Sequence, residues 1–312
     1  MQKENCTVVT ELLITGFQDL HIFKIPLFSS LLMAYVVTCL EHCLVIVLVI
    51  TNVHLQTPMY FLISILSSCE ILYVTNIVPK MLYDTLSERG ATSVLGCITQ
   101  LNLFGTLGMI ESLLFALMAY DRYLAIAKPL RYSALMDNWL CFRLVIGLCL
   151  ISFISVMIIS ILLSKIEFCG ANIINHFYCD FGPLIALSRS DTTLIQQMAF
   201  LLSSLFTLLP FILIFLSYMC ILYTILRIRS SVGRQKAFST CSSHLFAVTI
   251  YYATFISIYV VPTGSQYTYI NKQISFLYIV VIPLINPIIY TLKNQDIHKA
   301  LQKKISDVKM FF

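Results

Sequence analysis

Charge is what this sequence has least of. Only 11% of its 312 residues are Asp, Glu, Lys or Arg, where soluble domains carry roughly 25%. With 59% hydrophobic residues and a mean hydropathy of +0.88, the apolar surface exceeds what one soluble core absorbs, so its solvent is lipid. Gly/Ser linkers, low-complexity tracts and internal repeats are missing too. The missing repeat argues against transporters built from echoing halves, and no continuous polar path marks a channel. No G-x-x-x-x-G-K-S/T, H-E-x-x-H or G-x-S-x-G occurs, so the usual enzyme signatures are absent and no enzyme is expected. A cleaved leader is not expected either, because the first apolar run is too long and no small-residue cleavage site follows it.

What is present is a series of apolar runs, each near or above the roughly 20 residues that span a bilayer. They are Ile25–Thr51, Met59–Leu82, Cys97–Ala127, Leu140–Leu163, Leu194–Leu226, Phe238–Pro262 and Ile274–Leu292. The expected fold is an all-α membrane protein, a seven-helix bundle. By hydropathy the third and seventh runs are the weakest, since they hold the most polar atoms. An odd number of spans puts the termini on opposite sides.

Lys and Arg in short loops set the orientation. One side holds Lys3, Lys24, Lys80, Arg89, Lys165, Arg189 and Lys272. The other holds Arg122, Lys128, Arg131, Arg143, Arg227, Arg229, Arg234, Lys236, Lys293, Lys299, Lys303, Lys304 and Lys309. The second, richer side is therefore cytoplasmic, and the net charge of +5 is mostly a basic inner face rather than a nucleic-acid footprint. The chain reads as one unit, 1–312. Residues 1–23 lie outside, 24–293 form the bundle with a long extracellular loop at 164–193, and 294–312 lie inside. In the last segment Ile297, Leu301 and Ile305 alternate with Lys299, Lys303 and Lys304, the pattern of a short amphipathic helix on the inner leaflet. Asn5-Cys6-Thr7 is a glycosylation sequon on the extracellular side.

Six motifs go further. Met118-Ala119-Tyr120-Asp121-Arg122-Tyr123 ends the third span, with Lys128-Pro129-Leu130-Arg131-Tyr132 after it. Thr57-Pro58-Met59-Tyr60-Phe61-Leu62 opens the second span and Pro79-Lys80-Met81-Leu82 closes it. Lys236-Ala237-Phe238-Ser239-Thr240-Cys241-Ser242-Ser243-His244-Leu245 opens the sixth, and Pro283-Leu284-Ile285-Asn286-Pro287-Ile288-Ile289-Tyr290 closes the seventh. In this order and spacing, over nearly the whole chain, they resemble the vertebrate olfactory receptors, a branch of the rhodopsin-like G-protein-coupled receptors.

The resemblance implies roles. Arg122 is permanently charged and can exchange partners, pairing with Asp121 at rest and meeting a G protein when active. Asn286, Pro287 and Tyr290 resemble an activation switch, because proline removes a helix hydrogen bond and kinks the chain. Tyr218 resembles the usual partner of Tyr290. Tyr123, Lys128, Arg131, Arg227 and Lys236 complete the expected coupling face. Among the deep acids Glu41, Glu70 and Glu111, the last two face each other in the family pattern and can hold a sodium ion or shared protons, since two facing carboxylates do not both stay charged without a cation. The family's usual Gly-Asn in the first span is Glu41-His42 here, so His42 is placed to neutralise Glu70 and reduce the part played by sodium. The resemblance also implies a Cys97–Cys179 disulfide. Cys169 lacks its usual partner, Arg189 standing there instead, so it either pairs with Cys6 or stays free. His176-x-x-Cys179 has a metal-like spacing, but a disulfide-bonded Cys179 offers no thiolate, and no metal is expected.

A ligand pocket in a bundle lies between helices and is mostly apolar. In the third span Leu101, Phe104, Gly105, Gly108, Met109 and Ser112 share one helical face, and the two glycines leave room beside Phe104 and Met109. Tyr252, Phe255, Ile256 and Tyr259 form the facing stripe of the sixth. Phe206 and Thr207 of the fifth and Phe276 and Ile279 of the seventh complete the wall. The outer half of this face has no acid to pair with an amine ligand, and the middle of the seventh span has no lysine for a retinal Schiff base. The ligand class that remains is small, neutral and mostly apolar. The expected function is odorant-driven activation of a stimulatory, olfactory-type G protein that raises cyclic AMP, from the plasma membrane of olfactory cilia. A receptor of the same class for an endogenous ligand shares the same signalling face.

Overall fold

In lipid a backbone must satisfy its own polar groups, and an apolar run does so by closing into a helix. The computed structural model describes residues 9–17, 22–87, 90–168, 172–259, 267–293 and 297–304. Its spans are α1 (Lys24–Thr51), α2 (Pro58–Leu86), α3 (Val94–Ala127), α4 (Asn138–Leu163), α5 (Thr193–Leu226) and α6 (Ser231–Tyr259). The seventh, α7, runs continuously through Tyr267–Phe276, a π-helical stretch Leu277–Val281, and Ile282–Lys293. Six of these are long and apolar enough to cross a membrane, and within the described residues of α6 the apolar stretch is His244–Ser257. Of those six, α3 and α7 are the least apolar, as expected from their polar atoms.

Local chemistry sets several boundaries. Ser93 caps α3 by accepting from Gly96 N at 3.0 Å, and Asp137 caps α4 by accepting from Leu140 N at 2.6 Å. Pro58 sits in the first turn of α2, where its missing N–H costs nothing. In α7 Pro283 lacks the N–H that would bond the Ile279 carbonyl, and the helix widens into its π turn just before it. Residues 297–304 form a further helix, α8, with Ile297 fully buried and Ala300 and Leu301 packed against the main core. Ile305 lies outside the described residues.

The buried centre is α3, which packs on α2, α4 and α5 and also meets α6. Leu114, Phe115, Met118 and Ala119 are fully enclosed there. The opposite pattern holds on α5, where Leu205, Leu208, Leu209, Ile212 and Phe215 are each about half exposed or more. A soluble protein would not leave so large an apolar face open; on a membrane span it is the lipid-facing side.

A second core caps one end of the bundle. Strand β1 (Glu11–Ile14) lies between β2 (Ala91–Ser93), antiparallel to it, and β3 (Ile173–Ile174), parallel to it. Leu12 and Ile14 point down onto Cys97, Ile98, Leu101 and Cys179. The Cys97–Cys179 disulfide is formed and ties the loop before α5 to the top of α3. Cys6, Cys169 and Asn5 fall outside the described residues.

His176 is buried in this cap, and Phe177 N donates to its Nδ1 at 3.1 Å. Burial, with the positive charge of Lys272 second, pushes its pKa down from 6.5 to about 3. The imidazole is therefore neutral when folded, and its contribution to stability is complete above the ordinary histidine value and lost as pH falls from about 6.5 toward 3. The thermal unfolding temperature of the detergent-solubilised protein is expected to drop between pH 7 and pH 4, and His176→Leu is expected to flatten that slope. An unchanged slope in the variant would assign the acid sensitivity elsewhere. Losing the disulfide, which closes a separation of 82 residues, is expected to cost up to about 4.5 kcal/mol in the chain-entropy model. Cys97→Ser should accordingly lower surface expression and the unfolding temperature.

Candidate functional site

The polar side chains of the bundle interior gather in three groups along α3. The deepest contains Glu70 of α2 and Glu111 of α3, both buried. Asn286 Nδ2 donates to Glu70 Oε1, and Tyr278 Oη donates to Glu111 Oε2 at 3.3 Å. His42 of α1 is completely enclosed; its Nε2 lies 3.0 Å from the Pro283 carbonyl and 3.8 Å from Glu70 Oε2. The identity of that carbonyl has a physical cause. Pro283 is four residues before Pro287, so its carbonyl is the one that the missing Pro287 N–H leaves without a helix partner. His42 supplies the donor. With Nε2–H committed to this bond and Nδ1 lacking any hydrogen-bond partner, the neutral Nε2–H tautomer fits the network. The expected neutralisation of Glu70 by His42 is thus secondary to a bond between α1 and the kink of α7. Glu41, half-buried on α1, does not join the group, and its Oε2 has no hydrogen-bond partner.

The second group lies toward the capped end and contains the predicted pocket face. Ser112 Oγ donates to the Phe206 carbonyl of α5 at 2.9 Å and lies 3.1 Å from Tyr252 Oη of α6, joining three helices at one hydroxyl. Phe104 stacks among Tyr73, Tyr178 and Tyr278, with ring centroids 5.0 to 6.4 Å apart. Phe206, Tyr252 and Ile279 are buried; Met109, Thr207, Phe255 and Phe276 are half-buried. The structure therefore brings most of the expected wall together.

Two details differ from expectation. Ile256 is 44% exposed, because the inward face of α6 runs through His244, Ala247, Val248, Tyr251, Tyr252 and Phe255, and Ile256 falls beyond its edge. A Cβ at Gly105 would approach Val156 Cγ1 of α4 to 3.2 Å, so this glycine permits close α3–α4 packing rather than opening space beside Phe104. The side chain of Tyr259 is outside the described residues. A cleft of about 510 Å³ lies elsewhere among the described residues, between α2, α3 and the sheet, with Asn76, Lys80, Gly96 and Gln100 in its wall.

Sequence reasoning also missed side chains. Tyr251 donates to the Gly108 carbonyl at 2.9 Å and packs its ring on Phe115 and Tyr278. Tyr278 escaped a 3.6-residue reading because the π turn shifts the face of α7. Gln100 clamps the cap: its Oε1 accepts from Cys179 N at 2.9 Å and its Nε2 donates to the Asn76 carbonyl at 3.0 Å.

The third group is at the cytoplasmic end. Asp121 is buried and accepts from Tyr132 Oη at 2.8 Å. Asp121 is thus held directly by Tyr132; among the described residues no close ion pair joins it to Arg122, whose charge acts on it at longer range and whose Nε has no hydrogen-bond partner. Burial raises the Tyr132 pKa, and neighbouring Asp121 raises it further, so Tyr132 keeps its proton and stays the donor. Tyr218 Oη lies 2.7 Å from His244 Nδ1, and the two rings stack at 18°. Lys128 covers the Tyr123 ring at 5.6 Å. Lys128, Arg131 and Arg227 are exposed. Pro287 is buried in the α7 kink; the side chains of Lys236 and Tyr290 fall outside the described residues. No group of His, Cys, Asp and Glu suited to a metal ion occurs among the described residues.

The His42 bond gives a direct test. His42→Leu leaves the Pro283 carbonyl unpaired inside the bundle, a loss of roughly 1–3 kcal/mol. His42→Asn keeps a donor and is expected to recover part of it. Thermal unfolding in detergent measures both, and equal stability of all three forms would remove the bond from the account.

Comparison with known proteins agrees with this geometry. A family model described as olfactory receptor matches residues 31–308. Olfactory receptor 5P68 of Mus musculus is 42% identical over 305 residues, 98% of this chain and 97% of that receptor. Olfactory receptor 5G3 of Homo sapiens is 43% identical over 309 residues, 99% of this chain and 98% of its own length. Olfactory receptor-like protein COR4 of Gallus gallus is 42% identical, covering 98% of each. The chain belongs to the olfactory receptor family of seven-span, G-protein-coupled membrane receptors.

Proposed function

We propose that this receptor binds a small, neutral, mostly apolar odorant between α3, α5, α6 and α7, and that binding activates a stimulatory, olfactory-type G protein to raise cyclic AMP. The observation that supports this most is Ser112, whose hydroxyl joins the backbone of α5 to the Tyr252 hydroxyl of α6 in an aromatic-lined face. A ligand hydroxyl or carbonyl can replace one of those partners, while its apolar body takes the place of ring contacts around Phe104, Phe255, Phe276 and Ile279.

From that hydroxyl a run of contacts leads inward. Tyr252 touches Tyr251, Tyr251 touches Phe115, Phe115 touches His244, and His244 is bonded to Tyr218. A ligand that favours one placement of α6 over another shifts the balance of two receptor states. The inner end of α6 would then separate from α5 at Tyr218–His244, exposing Arg122 to a G protein alongside Tyr123, Lys128, Arg131, Arg227 and Lys236. Asn286, Pro287 and Tyr290 form the hinge of α7, and Glu70 and Glu111 hold shared protons or a sodium ion next to it. The receptor sits in the plasma membrane of olfactory cilia with the sheet-capped end outside, the oxidising side on which a Cys97–Cys179 bridge persists, and Asn5 carries a glycan there.

In cells supplied with the olfactory G protein, some members of a panel of neutral odorants are expected to raise cyclic AMP, and Arg122→Ala to abolish the rise. Ser112→Ala is expected to weaken the half-maximal concentration of hydrogen-bonding agonists by roughly fivefold to tenfold, the worth of one neutral hydrogen bond. A response that survives Arg122→Ala would remove Arg122 from coupling. One indifferent to Ser112→Ala would move the ligand away from that hydroxyl.

A further inference from the structure

The chain before α1 ends its strand on a turn that aims one ring at the mouth of the bundle. Gly16 adopts φ +51°, which a side-chain-bearing residue rarely does, and its N–H donates to the His176 carbonyl at 3.0 Å. Thr15 N donates to the Ile174 carbonyl at 3.1 Å. So directed, Phe17 stacks face to face on Phe177 of the long loop, centroids 5.4 Å apart at 13°. It also meets Phe276 of α7 edge-on at 5.8 Å, and Phe177 and Phe276 are 6.4 Å apart. Three rings from three separate parts of the chain thus close on one another, with Lys272 Nζ 5.4 Å above the Phe17 ring. Directly beneath, Phe177 touches Tyr178 at 5.3 Å and Tyr178 touches Phe104 at 5.0 Å.

We propose that Phe17 is the movable leaf of an entrance gate to the ligand site and sets the size of ligand that enters. The inference rests on the site proposed above and adds a residue outside the helices to it. The three rings are not equally free. Phe177 lies two residues from the Cys97–Cys179 bridge, and Cys179 N is held by Gln100. Its own N–H is bonded to His176. Phe276 belongs to α7. Phe17 lies beyond Ile14, the last paired residue of β1, so its ring can swing aside while the strand stays anchored by Leu12 and Ile14. Swinging the ring aside breaks its contacts with Phe177 and Phe276, its cation–π contact with Lys272 and its packing on the main core, but no hydrogen bond between helices. It uncovers the step from Phe177 through Tyr178 to Phe104.

The test measures access, with methyl methanethiosulfonate, a small neutral thiol reagent, as the probe. It is applied to intact cells, and modification is followed by mass spectrometry of the peptide that contains Ser112→Cys. Phe17→Ala is expected to speed modification about tenfold, as loss of the ring contacts implies, and Phe17→Trp to slow it. Thr99→Cys, on an exposed outer position, should react at one rate in every background, and Ser67→Cys, fully buried in α2, in none. Equal rates at Ser112→Cys with Phe17, Phe17→Ala and Phe17→Trp would overturn the gate and leave the ligand site standing. Reactive Ser67→Cys in the Phe17→Ala background would overturn it too, by showing general loosening. If Ser112→Cys stays unmodified in every background while Thr99→Cys reacts, the ligand site itself falls, and the gate with it.

Discussion

A polar atom inside a lipid-embedded bundle has no water to return to, and this constraint organises the receptor. Each break in the regularity of a helix must be answered by a side chain from another helix. The clearest instance is the carbonyl of Pro283, freed by Pro287 and answered by His42 across the bundle. Asn286, beside the same kink, gives its amide to Glu70, and Tyr278, lifted into place by the π turn, gives its hydroxyl to Glu111. Four helices are therefore pinned to one another through the irregular part of α7. Apolar packing holds the helices together but fixes no register between them; these few bonds do, since each has a single partner and a large penalty for leaving it.

How much of this was legible in the sequence depends on the kind of signal. Span number and position follow from composition, because a run of lipid-soluble residues has one outcome in a bilayer. The disulfide followed from family resemblance, as did the roles expected of Arg122 and Asn286. Contacts that depend on helix rotation were partly legible. The 3.6-residue repeat places Phe104 and Ser112 on one face of α3 and Tyr252 on one face of α6, but it cannot anticipate a π turn, so Tyr278 was invisible. It also overran the edge of the α6 face at Ile256. Gly105 shows a further limit: a missing side chain reads the same whether it leaves room for a ligand or for Val156 of a neighbouring helix, and only the neighbour decides. At the cytoplasmic end the resemblance implied Asp121 with Arg122, and it carried no sign that the turn after α3 brings Tyr132, eleven residues on, to the carboxylate.

The capped end obeys the same constraint with different materials. Its strands are too short to be stable alone. They persist because β1 is paired on both edges and because Leu12 and Ile14 are driven onto the disulfide-bonded top of α3. His176 is held neutral in this small core, so a buried imidazole serves as a hydrogen-bond acceptor for Phe177 without bringing in a charge beside Lys272.

Rigidity is thus distributed unevenly, and the unevenness suits a receptor. The loop around Cys179 is fastened by a covalent bond and by Gln100, and the centre of α3 is enclosed on every side. The parts with few and replaceable contacts are the turn at Phe17, the hydroxyl of Ser112, and the Tyr218–His244 pair. They lie at the proposed entrance, in the proposed ligand site, and at the inner end of α6. A ligand contributes only the free energy of its own contacts, so it can shift elements whose existing contacts cost about as little to exchange. Were the gate or the α5–α6 pair fastened as firmly as the Cys97–Cys179 loop, no small apolar molecule could carry enough differential affinity to move them.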